Sequence, residues 1–205
     1  MKRHHLVRLS AVLVAGLALP ATAQIGGSEH DFSGMGWSGG EICKPCHTPH
    51  NSDTTVGWLW NHELTVATYT MHDGTGTAVD DFDILSRLCL SCHDGTVALD
   101  SFGGQTGSSY MSGDGLVGTD LSNDHPVGSD ALYPPDPPPS WWSSEFRDEA
   151  DLPSALKLRD WVDTGGVTQR VVSCMTCHTP HNAGYDHMLR MSNASSALCL
   201  GCHIK

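Results

Sequence analysis

All eight cysteines of this 205-residue chain stand in four C-x-x-C-H strings. They are Cys43/Cys46/His47, Cys89/Cys92/His93, Cys174/Cys177/His178 and Cys199/Cys202/His203. At this composition about 0.02 such strings would arise by chance. A disulfide framework has no need of a histidine after each pair. Structural zinc and redox dithiols do not require one there either. Covalent attachment of haem c does. Two thiols three residues apart lie on one helical turn and add across the two vinyl groups, and the next histidine then aims its imidazole at the iron. The spacing therefore predicts four haem c groups, each anchored by two cysteines, with His47, His93, His178 and His203 as proximal iron ligands.

A second axial ligand must come from elsewhere. Of the 13 histidines, His4 and His5 lie in an N-terminal leader and four are proximal, leaving His30, His50, His62, His72, His125, His181 and His187. His50 and His181 occupy the same string, C-H-T-P-H-N, with Pro49 or Pro180 fixing a bend. A ligand three residues from a proximal one cannot reach the far side of the same iron. It can bind the iron of an adjacent haem and clamp two haems together. His125 precedes Pro126, which keeps it extended and suits delivery from a loop. His30, in Glu29-His30-Asp31-Phe32, completes the predicted set of four distal ligands. His62 is the first reserve, His187 the second, and His72 beside Asp73-Gly74 reads as a turn residue. No methionine recurs at a fixed offset from the motifs, so the methionines read as packing residues.

The elements that position these residues show an internal repeat. Residues 42–51 match residues 173–182, and 88–93 match 198–203. The chain thus reads as two dihaem modules, about 24–104 and 120–205, within one tetrahaem domain spanning 24–205. The first module carries an insertion at about Asp53 to Asp83, with strand signal near Leu64 to Met71. Gly- and Ser-rich residues 103–118 and the Pro-rich run 134–139 separate the modules. One or two short helices are expected between Glu145 and Asp160, broken near Pro153. A hairpin is expected from Val162 to Val172, turning at Gly165-Gly166. The expected fold class is a multihaem cytochrome c: mostly irregular loops, short α-helices at the C-x-x-C-H motifs, few short strands, and a core formed by four stacked haems. Trp58, Trp60, Trp141 and Trp142 are expected to cover haem edges.

Composition supports this. Four haems would leave about 46 residues each, too little chain to enclose them in a conventional apolar core. Hydrophobic residues make up 39%, against a usual ~45–50% that also counts glycine. Residues 1–23 read as a signal peptide: Lys2, Arg3 and Arg8, then the apolar run Ala11 to Leu19, then Ala21-Thr22-Ala23. That run is too short to span a bilayer, which takes ~20 residues, and no later segment reads as transmembrane. The formal charge of −12 argues against nucleic acid as a partner.

These motifs resemble the doubled-CxxCH multihaem cytochromes c. The likeness is carried by His30-Asp31-Phe32-Ser33, by the two C-H-T-P-H-N strings, by Leu88 to Ala98, by His125-Pro126, and by Arg190 to Asn193 before the last motif. It is nearest to the extracellular tetrahaem cytochromes of metal-reducing bacteria. The resemblance implies bis-histidine haems in alternating parallel and T-shaped contact, and head-to-tail homopolymers in which a histidine of one subunit ligates a haem of the next. His30 is the residue expected to do that. The implied function is electron transfer to other redox proteins or extracellular acceptors, with no enzymatic chemistry. The alternatives are a monomeric periplasmic shuttle and, third, a reductase with an open haem site. The destination is the cell exterior or surface, or alternatively the periplasm.

Overall fold

Regular structure is sparse because the sequence is punctuated by glycine, proline and short polar residues that favour turns. A computed structural model describes residues 25–181 and 184–204, so the signal peptide expected at 1–23 lies outside the described residues. Two 3-10 turns, Phe32–Gly34 and Gly36–Ser38, open the chain. The Asp31 side chain caps the first by accepting from the Ser33 N–H. The insertion holds an antiparallel hairpin of β1 (Thr68–Thr70) and β2 (Gly76–Ala78), where strand was expected.

Helix α1 (Ile84–His93) follows and contains the whole second motif. Asp83 starts it by accepting from the backbone N–H groups of Leu85 and Ser86. It ends at Asp94-Gly95, where Gly95 has φ 74° and turns the chain away. Helix α2 is the single turn Trp142–Glu145, and a 3-10 turn spans Glu149–Asp151 ahead of Pro153. Strands β3 (Arg159–Val162) and β4 (Thr168–Val171) pair antiparallel with Asp160 opposite Arg170. This hairpin starts three residues earlier than expected. Arg170 holds both Asp160 across the ladder and Glu149 from the preceding turn, which draws Arg159 and Asp160 out of the helical region predicted for them. Helix α3 (Cys174–Cys177) is a single turn closed by a capping box between Ser173 and Thr176.

The four motifs do not all form the helices expected of them. The second lies in α1, the third forms α3, and the fourth is a 3-10 turn at Cys199–Gly201. The first has turn geometry only. Ile42 and Pro45 stand where Ser173 and Thr176 make the capping box, so the first motif has no cap and lacks one backbone donor. One bond survives this difference. The histidine N–H reaches the carbonyl of the first cysteine in the first motif (2.8 Å), the third (3.0 Å) and the fourth (2.9 Å).

Apolar packing is split into three small clusters. One joins Tyr69, Met71, Phe82, Leu90 and neighbours; another Tyr133, Trp142, Leu158 and Val172; the third Val56, Trp60 and Leu88. Cys46 packs against the third and Cys202 against the second. Between the insertion and α1 lies a buried polar knot instead. The Asp94 carboxylate accepts from the hydroxyls of Tyr69 and Thr65 (both 2.6 Å) and from the Thr96 backbone N–H (2.7 Å). Tyr69 is 1% exposed and Asp94 4%. Removing one donor from such a buried acceptor is costly. Tyr69→Phe is therefore expected to destabilise the protein by about 1–3 kcal/mol, read as a lower urea midpoint with unchanged slope.

Candidate functional site

Each motif turn brings its histidine beneath its first cysteine, but the turn alone does not fix the ring. A backbone carbonyl does. His47 Nδ1 bonds the Trp58 carbonyl at 2.8 Å, His178 Nδ1 the His187 carbonyl at 2.8 Å, and His93 Nδ1 the Gly115 carbonyl at 2.6 Å. A carbonyl only accepts, so Nδ1 carries the proton and Nε2 keeps its lone pair for a metal.

The first and third sites achieve this in matching ways. Trp58 and Leu59 have φ 49° and 57°, and His187 and Met188 both have φ 55°. In each pair the first carbonyl takes the imidazole, while the second accepts from the threonine after the motif histidine: Thr48 N–H to Leu59 (2.8 Å), Thr179 N–H to Met188 (2.9 Å). The next ladder bond also matches, Asn61 N–H to Cys46 and Arg190 N–H to Cys177. Left-handed backbone at bulky residues costs roughly 1–3 kcal/mol each, and it recurs here where it aims a carbonyl at a proximal ring. The sequence repeat ends before these residues, so this correspondence was not readable from it.

Three of the predicted distal histidines face proximal ones. Ring centroids are 5.9 Å apart for His30 and His93, 5.9 Å for His47 and His181, and 6.5 Å for His125 and His203. An imidazole nitrogen binds a first-row metal at ~2.0 Å and sits about 1.1 Å from its ring centre, so two rings on opposite sides of one iron have centroids about 6 Å apart. All three separations are close to that value. His30 is well packed, and its ring hydrogen-bonds the Pro180 carbonyl of the other C-H-T-P-H-N string. Burial, with His93 and His181 nearby, lowers its pKa from 6.5 to about 4, which keeps it neutral and ligand-competent. His181 is shifted down by desolvation and by His47.

His30, expected to serve a neighbouring subunit, thus meets His93 of its own chain. His50 is exposed, with its backbone N–H held by Thr48 Oγ1. Among the described residues no comparable ring pair joins it to His178. The repeat makes that pair the counterpart of His47 and His181. The three unassigned histidines have other roles. His62 is 4% exposed, and its two nitrogens lie against the carbonyls of Glu63 (2.8 Å) and Ala98 (3.0 Å), with Cys92 Sγ 3.6 Å from Nε2, so the ring is committed to the packing around the second motif. His72 lies against Asp130. His187 serves through its backbone carbonyl.

The cysteines fit thioether anchoring. All eight are free thiols. Burial, then the neighbouring Cys43, pushes Cys46 up to about 11, and burial, then Cys202, pushes Cys177 up to about 11. Reactive dithiols have depressed values instead; Cys174 is shifted down, by its hydrogen bond with Cys89, but its motif partner Cys177 is not. Cys89 is pushed up by a hydrogen bond shared with Cys174 and by burial. Through these contacts and the influence of Cys46 on Cys92, successive motifs lie side by side in chain order. The buried Trp60 indole N–H and the Nε–H groups of Arg87 and Arg159 lack a protein acceptor. Trp60 is also edge-on to His47 at 6.1 Å. Haem propionates are acceptors of the kind such donors need.

Residues 166–205, which hold the third and fourth motifs, match the family model described as the doubled CXXCH motif. No curated protein matches the chain. The match supports a protein like the multihaem c-type cytochromes, and the motifs indicate covalently bound c-type haem. Among the described residues no helix is long and apolar enough to cross a membrane.

Two substitutions separate ligand from core histidine. His181→Ala is expected to give the loaded protein one high-spin haem, seen by optical and EPR spectroscopy. His62→Ala is expected to leave the spectrum low-spin while costing about 1–3 kcal/mol of stability, because a buried carbonyl loses its donor and the ring leaves a cavity.

Proposed function

We propose that this protein is exported and transfers electrons through four covalently attached, bis-histidine haem c groups. The observation that carries this reading is the set of three imidazole pairs spaced for one iron each, every pair including a histidine of a C-x-x-C-H motif. In the proposed pairing, His30 faces His93, His181 faces His47, His125 faces His203 and His50 serves His178. Cys43, Cys46, Cys89, Cys92, Cys174, Cys177, Cys199 and Cys202 anchor the four groups. Bound haem iron supplies one-electron exchange between its ferric and ferrous forms. The protein would contribute paired histidines to hold the irons, which is why the reading is electron transfer and not catalysis. It also contributes spacing, since motifs laid side by side keep successive sites close.

The resemblance to extracellular tetrahaem cytochromes carries the finer proposal. In that reading copies associate head to tail into a filament outside the cell and deliver electrons to other redox proteins or extracellular acceptors. A heterologous contact of this kind extends without closing. The internal pairing of His30 favours a second reading, a monomer shuttling electrons in the periplasm, because the second haem borrows no ligand.

Three measurements on protein matured with haem test these statements. Mass spectrometry is expected to show four covalent haems on the mature chain. The oxidised spectrum is expected to be wholly low-spin and unresponsive to added cyanide on mixing; rapid cyanide binding would indicate an open haem and an enzyme. His30→Ala is expected to produce one high-spin haem at every protein concentration. A wild-type spectrum that becomes partly high-spin on dilution would return the ligand to a neighbouring subunit, and electron microscopy of the secreted protein distinguishes filament from monomer.

A further inference from the structure

Asp83 is 2% exposed and lies in neither a ligand set nor a haem anchor. Its carboxylate accepts four hydrogen bonds. Three come from the start of α1: Leu85 N–H (3.1 Å), Ser86 N–H (3.3 Å) and Ser86 Oγ (2.5 Å). The fourth crosses 90 residues of sequence, from Ser173 Oγ at 3.0 Å. Ser173 is the cap of α3 and accepts from Met175 N–H. The two serine hydroxyls lie 3.0 Å apart, and Ser86 Oγ also accepts from the Cys174 N–H at 3.1 Å. One carboxylate therefore ties together the first turns of the two helices that carry the second and third motifs. It does so beside the first cysteine of each, where the Cys89 and Cys174 sulfurs lie against each other.

The effect is electrostatic as well as geometric. Both Cys89 and Cys174 feel Asp83 as a charge that disfavours their thiolates. Ser86, Ser91, Ser173 and Thr176 nearby are each at most 1% exposed, so water screens this charge weakly. A negative charge held near a haem stabilises the ferric over the ferrous state and lowers the potential.

We infer that Asp83 is a positioning residue shared by the second and third haem sites, registering their attachment turns against each other and holding the potentials of both haems down. This rests on the haem reading above. The test is a redox titration of the matured, full-length protein followed by NMR of the haem methyl signals. Asp83→Asn keeps the shape and an acceptor for the helix caps but removes the charge. Two of the four potentials, those of the haems bonded to Cys89 and Cys174, are expected to rise while the other two stay in place. Four loaded haems with all potentials unchanged, or with all four moved equally, would overturn the inference. Ser173→Ala gives an independent arm with the opposite sign, and it serves also if Asp83→Asn fails to mature. It keeps the charge and withdraws one donor that partly offsets it, so the same two potentials are expected to fall; no change there would also overturn the inference. A wild-type chain that carries no haem by mass would instead defeat the haem reading itself, so the two failures are distinguishable.

Discussion

A histidine can hold an iron only when one ring nitrogen is left free and the ring is aimed, and here a backbone carbonyl does both. Trp58, Gly115 and His187 each give their carbonyl to the Nδ1–H of a proximal histidine. Much of the irregular structure follows from that requirement. A carbonyl 9, 11 or 22 residues from its histidine must be brought back to it, and the loops at 47–60, 93–117 and 178–189 return for this purpose. Helices and sheets pair their carbonyls internally and have few to spare. A fold that spends carbonyls on side chains is therefore poor in both. The left-handed residues Trp58, Leu59, His187 and Met188 mark where the backbone is forced into line.

The chemistry of the chain was far more legible in its sequence than its architecture. Eight cysteines in four strings mark the candidate anchors, and the histidine after each pair the candidate proximal ligand, because covalent haem attachment accounts for that spacing. Proline and the repeat single out His125 and His181, and its place near the mature N-terminus singles out His30; each lies in a ring pair with a motif histidine. Elements were harder. The capping chemistry that makes α3 a helix and the first motif a mere turn depends on Ser173 and Thr176 against Ile42 and Pro45, a difference inside a matching repeat. The β3 strand begins at Arg159 because Arg170 lies across from Asp160 and also reaches Glu149, contacts that no local pattern reports. His62 shows the limit from the other side. A histidine after Trp60-Asn61 looks like a reserve ligand until both its nitrogens are found against carbonyls.

Buried serines, threonines and carboxylates do the work that a large apolar core does elsewhere. Asp94 gathers Thr65, Tyr69 and Thr96 at the end of α1, and Asp83 gathers Leu85, Ser86 and Ser173 at its start. Such networks stabilise only when fully satisfied, because an unpaired buried polar group costs more than a good hydrogen bond returns. They are also directional, and haem attachment turns must be held in angle as well as distance. Helix α1, fixed at both ends by a buried carboxylate, is accordingly the most regular element in the protein, and it carries the second motif.

The two halves of the chain are interlocked at the places where the repeat is most evident. His181, in the second half, faces His47 in the first. His30, near the start, bonds Pro180 of that same second-half loop and faces His93. Asp83 caps its own helix and reaches Ser173. The His47–His181 pair, the His30–Pro180 bond and the Asp83–Ser173 bond cross between the halves, while His30 meets His93 within the first. Two separable dihaem units would keep their ligands to themselves and gain independence. The crossed contacts give that up, and in return a change in the spacing between the halves would separate His47 from His181 or break a buried hydrogen bond. Electron exchange between neighbouring haems depends steeply on their separation, so a chain with little core has reason to set that separation with ligand bonds. The same argument applies to a polymer. With His30 held against His93 of its own chain, the proposed head-to-tail contact would fall to the outer surfaces.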